Sequence, residues 1–239
     1  MNVMIKQIKN PDAPLIFGLE ASGEQACVAL MRGNVLIHEI TLAQRHGHAS
    51  HFVTMAKTCL DDASYGFADI DIIAAGVGPG SFTGLRVCLS AATGFALAGG
   101  ITAIGVNGLR ARALAAREEL ANTSSPSTSY LACADTRRGV LFTQSFDSDL
   151  TAQSDITEDE LSDIIAAHDK KIICLPPLEE MPSLPMGASI VNMTARHIAQ
   201  TAFLDYQHHR QTGDPLPPCE PLYVAAPKLG PAKAVSNGA

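Results

Sequence analysis

The run Gly76-Val77-Gly78-Pro79-Gly80-Ser81-Phe82-Thr83-Gly84-Leu85-Arg86 concentrates the residues of this chain best able to hold a charged group. It follows an apolar strand pattern over 70–75 and precedes a helical pattern over 82–98. Glycines between a strand and a helix let backbone N–H groups converge on an anion, or let another backbone pass very close. The spacing leaves both readings open. Gly78 and Gly80 are followed by Gly84, so the dinucleotide fingerprint GxGxxG is absent, and no Lys follows Gly84 to complete a phosphate loop. Arg86 reads equally as a contact to an anion or carboxylate and as an arginine at the solvent edge.

Other ionisable groups are sparser. Glu20 and Asp135 each close an apolar strand pattern, one early and one late in the chain. His46, His48 and His51 cluster without a neighbouring carboxylate, so they read as a polar helix start, and no metal site is predicted. His208 and His209 lie in a polar stretch and read as solvated. No HExxH motif is present, and nothing supports a Ser-His-Asp arrangement.

The net charge of −7 argues against this chain gripping nucleic acid alone, although a partner could supply the basic surface. Cys27, Cys59, Cys88, Cys133, Cys174 and Cys219 have no metal-finger or CxxC spacing and mostly sit in apolar runs, which reads as buried free thiols in a reducing cytosol. The first residues lack an apolar signal core, and no uninterrupted apolar run reaches about 18 residues. The expectation is a cytoplasmic protein with no membrane partner.

Three strand patterns come first, over 15–20, 26–31 and 35–42, in an antiparallel meander. A helix over 49–63 carries Ala49, Phe52, Val53, Ala56, Leu60 and Ala63 at helical spacing, and Met55 and Cys59 widen that stripe to about 160°. In the helix over 82–98 the polar side chains past the first turn are Arg86, Ser90 and Thr93, on one narrow strip. So broad an apolar surface needs cover on several sides, from the chain's own elements or from a partner. A strand over 101–106 and a helix over 109–120 complete a β-β-β-α-β-α-β-α order, the ribonuclease-H-like half-unit. The Ser- and Thr-rich stretch 121–129 reads as a boundary, after which the pattern partly repeats: strands over 130–134 and 140–146, a helix over 157–167, a strand over 171–175, a proline-rich loop and a last helix over 188–203. The expected organisation is an N-terminal unit over 14–120 and a reduced C-terminal unit over 130–204, with loose tails at 1–13 and 205–239.

The glycine loop from Gly78 to Arg86 resembles that of the TsaB (YeaZ) family. Glu20-Ala21-Ser22 with Ala26-Cys27-Val28-Ala29-Leu30, then His48, then Gly105-Val106-Asn107-Gly108-Leu109 and Asp135-Thr136-Arg137-Arg138-Gly139, resemble further family segments in the same order. The resemblance covers about residues 15–146. It implies an α/β ASKHA (actin-like ATPase) fold of two ribonuclease-H-like halves, the second reduced. It also implies an accessory role in making threonylcarbamoyladenosine, beside the anticodon of ANN-decoding tRNAs. In that system TsaC makes threonylcarbamoyl-adenylate, TsaD transfers the group to tRNA, and TsaE is an ATPase partner. The family subunit supports TsaD without catalysing, and forms homodimers in isolation. ATP, ADP and metal would belong to the partners, with no cofactor assigned to this chain.

Family members pair through their first two helices. The contact residues expected from this are His48, Phe52, Met55, Cys59, Leu85, Cys88, Leu89 and Ala92. By fold analogy Glu20 and Asp135 stand where actin-like ATPases place metal-linked acids, so a nucleotide-binding hydrolase or glycoprotease-like enzyme acting alone is the competing reading. The sequence departs from the family pattern at Glu20, where Asp is common, at His48-Ala49-Ser50-His51, and at Pro221-Leu222-Tyr223-Val224-Ala225, which lacks the family's arginine.

Overall fold

The structure, a computed structural model, describes residues 7–23, 25–42, 48–120, 129–166, 172–178, 184 and 187–224, with the backbone alone for 48–51. Among these residues the order is β1 (Leu15–Glu20), β2 (Ala26–Arg32), β3 (Val35–Leu42), α1 (His48–Asp62), a 3-10 turn (Phe67–Asp69), β4 (Ile72–Gly78), α2 (Phe82–Gly99), β5 (Thr102–Asn107), α3 (Gly108–Leu120), β6 (Ser129–Asp135), β7 (Leu141–Asp147), β8 (Thr157–Asp159), α4 (Leu161–Ala166), β9 (Ile172–Leu175), β10 (Ala188–Ile190) and α5 (Ala195–Thr212).

The strands form two five-stranded sheets, ordered β3-β2-β1-β4-β5 and β10-β9-β6-β7-β8. In the first, β1 runs antiparallel to β2 and parallel to β4. In the second, β6 runs antiparallel to β7 and parallel to β9. Read outward from β1 and from β6, the two sheets have the same order and directions. The duplication expected from the sequence is therefore complete in strand number. The reduction lies in length, since β8 and β10 have three residues each.

The last helix of each half covers the sheet of the other. α3 lays Leu109, Ala113, Leu114 and Ala116 against Tyr130, Ala132, Phe142 and Phe146 of the second sheet. α5 lays Ile198, Ala199, Ala202 and Phe203 against Ile16, Met31, Ile72 and Ile104 of the first. Gly18 makes the second contact possible, because a Cβ there would collide with the Ala195 carbonyl oxygen and crowd the Ala199 methyl. The Ala195 N–H donates to the Cys27 thiol at 3.1 Å, pinning the helix start to β2. On its other face the first sheet packs against α1 and α2, where Phe17, Leu19, Val28 and Leu30 meet Phe52, Ala56, Cys59, Cys88, Leu89 and Ala92. All six cysteines are free thiols, five of them buried, and burial raises the Cys59 thiol to about 12, out of the reactive range.

Three expectations are corrected. Residues 157–159 are a strand, not the first turn of a helix. Thr143 holds them through Oγ1, which bonds Thr157 Oγ1 at 3.0 Å and donates to Asp159. Residues 188–190 pair with β9 as a strand, and the last helix starts at Ala195 and runs to Thr212, well past 203. The stretch after 204 is not loose as far as it is described. Arg110 pairs with Asp205, and Arg210 donates to the Pro11 carbonyl at 2.8 Å and pairs with Asp12, so part of the expected N-terminal tail is tied down too. Beyond α5 the chain returns along β5 and β4, where Gly105 N–H donates to Pro217 at 3.1 Å and Leu222 N–H donates to Val77 at 2.8 Å. Residues 225–239 and 1–6 lie outside the described residues.

The start of α5 carries a titratable group with a calculable effect. His197 Nδ1 accepts the Thr194 N–H at 3.0 Å and closes the helix cap. Burial, helped by the charge of Arg196, lowers its pKa from 6.5 to about 3; the Glu118 carboxylate, 3.9 Å from Nε2 and shared with Arg196, does not offset this. The native state holds a neutral ring, whereas the unfolded chain takes up a proton near 6.5. Stability is therefore complete above that pH and is lost as pH falls toward 3, by up to about 1.4 kcal/mol per unit. Urea unfolding at pH 7 and pH 5 is expected to show a loss of roughly 2 kcal/mol that His197→Gln largely removes. An unchanged slope in that variant would rule the histidine out as its source.

Candidate functional site

The C-terminal ends of β1, β4 and β6 converge where the two halves meet. Glu20 leaves β1 there, the glycine loop leaves β4, Asp135 ends β6, and Arg112 projects from α3. Together with Ser22, Gly80 and Asn192 they line one cavity of about 50 Å³. The two acids singled out from the sequence are thus brought to one place. Each spends one carboxylate oxygen within the chain, while the second oxygen of Glu20, Oε2, is buried with no hydrogen-bond partner among the described residues. Glu20 is 1% exposed, and its Oε1 accepts from both the N–H and the hydroxyl of Ser22. Its Oε2 lies over the α-carbon of Gly76, where any Cβ would strike it. Burial raises the Glu20 pKa against the lowering effect of the Ser22 bonds and the Arg112 charge. Asp135 Oδ1 accepts from the Arg137 N–H at 2.7 Å, which shapes the turn after β6.

The glycine loop resolves in favour of close backbone approach. Ser81 N–H donates to the Ser22 carbonyl at 2.8 Å. A Cβ at Gly80 would meet Ser22, and one at Gly84 would overlap the Ala21 carbonyl oxygen. The loop is sealed against the β1–β2 turn by its glycines, with Gly78 at φ 98°. Ser81 caps α2 by accepting from Gly84 N–H at 3.3 Å. Pro79 lines the cavity, while Phe82 and Thr83 stand on the outer side.

A cavity of about 50 Å³ has room for a few waters. A nucleotide needs one several times larger, on the order of 300 Å³ or more. Among the described residues no group of three or more His, Cys, Asp and Glu is placed to hold a metal ion. Here the chain's own groups occupy the position at which a hydrolase would need open space.

The expected contact helices are found, but the residues named for the contact are not on their outer side. Phe52, Met55, Cys59, Cys88, Leu89 and Ala92 are buried in the chain's own core, and Leu85 is buried at the edge of the glycine loop. The stripe recognised by periodicity is the side that faces β1, β2 and β4, so these seven are corrected to buried residues. The side chain of His48 lies outside the described residues, as do His46 and the side chain of His51. What the helices leave uncovered is a different set. Val53 is 62% exposed and Leu97 66%. On another side of α2, an apolar hollow of about 520 Å³ is lined by Phe67, Ala68, Phe95, Ala98, Gly99 and Ile101. α2 is long and apolar enough to span a bilayer, yet Gly84, Leu85, Cys88, Leu89 and Ala92 pack inward. Of these outer features only Val53 stood out in the sequence. Leu97 differs from its buried neighbours only in the direction it faces.

Two glycines of α2 should respond oppositely to substitution. Gly84→Ala forces a methyl into the Ala21 carbonyl and is expected to cost about 1–3 kcal/mol. Gly94 has nothing within 4 Å of a built Cβ, so Gly94→Ala is expected to add about 0.5–1 kcal/mol. Denaturant midpoints of the two variants check the signs.

Comparison with known proteins agrees with this geometry. The family model for TsaD, tRNA N6-adenosine threonylcarbamoyltransferase, matches residues 35–173. The chain is 36% identical over 103 residues to the tRNA threonylcarbamoyladenosine biosynthesis protein TsaB of Haemophilus influenzae, covering 43% of each. It is 29% identical over 134 residues to the protein of the same name from Escherichia coli, covering 56% of this chain and 55% of that one. The chain therefore spans about half the length of the curated relatives it matches. The solved structure of YeaZ from Pseudomonas aeruginosa shares the fold, with a TM-score of 0.66 over 88% of this chain and 100% of that one at 17% identity. With the family model spanning the outer strand of the first sheet, α1, α2 and most of the second half's meander, the chain belongs to the TsaD family, within which it is similar to proteins named TsaB.

Proposed function

We propose that this chain is a non-catalytic subunit that binds a TsaD-type transferase and supports transfer of the threonylcarbamoyl group to the adenosine beside the anticodon of ANN-decoding tRNAs. The observation that carries the reading is the contrast between its two candidate surfaces. The cleft is narrowed by Glu20, Ser22 and the glycine loop to about 50 Å³, while the outer side of α2 exposes Leu97 and Gly94 on the strip that also carries Arg86, Ser90 and Thr93. Along its 18 residues α2 has one charged side chain, Arg86. Leu97, on the outer strip of α2, offers a partner helix an exposed apolar side chain.

The family match supports one occupant. The stretch matched by the TsaD model includes α1 and α2, so a TsaD-type protein carries a counterpart of the same helix pair. Two such pairs meet face to face about a pseudo-twofold axis, and a second copy of this chain can dock the same way. Catalysis, nucleotide and metal belong to the partners in this reading. A TsaE-type ATPase and the product of TsaC act on the same complex in the cytosol. The hydrolase and glycoprotease readings gain no specific support from the geometry.

The test is co-elution of the full chain with its cognate TsaD-type protein, followed by a tRNA modification assay with and without this chain. Leu97→Glu is expected to fold normally and to weaken the complex at least tenfold, because an unpaired charge in an apolar contact is costly. Cys88→Glu should act differently, lowering the melting temperature of the isolated chain because Cys88 is a core residue. Undiminished co-elution of Leu97→Glu would remove α2 from the interface.

A further inference from the structure

The glycine loop has a second side. Away from the cavity at Glu20 it borders a groove of about 390 Å³. One wall is the start of α2, another is Thr136, Arg137 and Arg138 from the turn after β6, and the third is Tyr223 from the returning C-terminal segment. The lining holds two arginines and no carboxylate, on a chain whose net charge is −7. Arg138 is ion-paired with Glu158 just outside this lining, so Arg137 carries most of its positive character.

Two aromatic rings stand at the mouth. Phe82 is 43% exposed and Tyr223 is 54% exposed, with ring centroids 5.9 Å apart and planes tilted by 38°. The Arg86 guanidinium lies 4.0 Å from the Phe82 centroid, so cation and rings form a short ladder at the surface. The arginines keep donors to spare. Arg137 gives one nitrogen to the Gly23 carbonyl and Arg138 one to Glu158, out of five N–H groups on each guanidinium.

Exposed rings beside arginines, in a groove the size of one nucleotide, match the way proteins take unpaired RNA: a base stacks on an aromatic face and its phosphate meets a guanidinium. A double helix is too broad to enter. An acidic peptide would engage the arginines and leave the rings unused. We propose that this groove receives an unpaired nucleotide of the tRNA handled by the complex, its base against Tyr223 and Phe82 and its phosphate on Arg137 and Arg138. The contact rests on the tRNA-modification reading above and adds a direct RNA site to a subunit whose overall charge argues against one.

Fluorescence anisotropy of the full chain with an unmodified ANN-decoding tRNA transcript tests it. Salt-dependent binding is expected. Tyr223→Ala should weaken it about tenfold, and Tyr223→Phe, which keeps the ring, should not. Arg137→Ala and Arg138→Ala should each lower the slope of log affinity against log salt by about one. Tyr223 is a surface residue, so its variants report binding apart from folding, and melting temperatures check the arginine variants. No RNA binding, binding indifferent to Tyr223→Ala, or displacement of the RNA by free AMP at equal potency would overturn the proposal. Co-elution with the TsaD-type protein is measured on the same preparations. A chain that co-elutes but ignores RNA loses the groove alone, whereas one that binds RNA through Tyr223 but never co-elutes keeps the groove and loses the accessory reading.

Discussion

The exchange of helices between the two sheets governs this molecule. α5, from the end of the second half, rests on the first sheet through Gly18 and Ala195, and α3, from the end of the first half, rests on the second through Leu109 and Ala113. Neither sheet has a complete core without the other half, so the halves are not separate folding units. The contact tolerates no added atom at Gly18, because backbone meets backbone there. This arrangement draws the ends of β1, β4 and β6 together and leaves a cavity of about 50 Å³ where they converge.

The glycine loop takes its meaning from that closure. Glycine-rich turns between strand and helix serve anions when their N–H groups are free. Here Ser81 N–H is spent on Ser22, and Gly80 and Gly84 are glycines because the β1–β2 turn lies against them. Glu20 is similarly committed to Ser22. A position that could serve chemistry has become internal packing, and the open surface has moved outward to α2 and to the groove near Tyr223. That distribution suits the accessory role proposed above, which asks for contact surfaces rather than an empty cleft.

Some elements were legible because a local pattern sufficed. Leu15–Glu20 and Val35–Leu42 match their expected bounds, and the glycines after α2 mark its end, with Gly100 left-handed at φ 61°. Others depended on distant partners. Residues 157–159 look helical from their acids but are held as a strand by Thr143. Residues 188–190 are a strand because β9 offers an edge. α5 continues through a polar stretch because Tyr206 packs inward and Asp205 and Arg210 find partners far away in sequence.

Composition and periodicity by themselves determined that the chain folds as a doubled α/β unit, that its cysteines are thiols, that α1 and α2 carry broad apolar surfaces, and that the glycine loop marks a tight junction. Tertiary structure alone decided which side of those helices is interior. Helical spacing reports that a stripe is apolar but not what covers it, and Cys88 and Leu97 are alike in type while one is sealed by β1 and the other faces outward. It also decided that Glu20 and Asp135 share a cavity too small for a nucleotide, and that Arg137, Arg138, Phe82 and Tyr223, distant in sequence, border one groove. Such meetings depend on how the two sheets are pressed together, a long-range packing outcome that no local run of residues encodes.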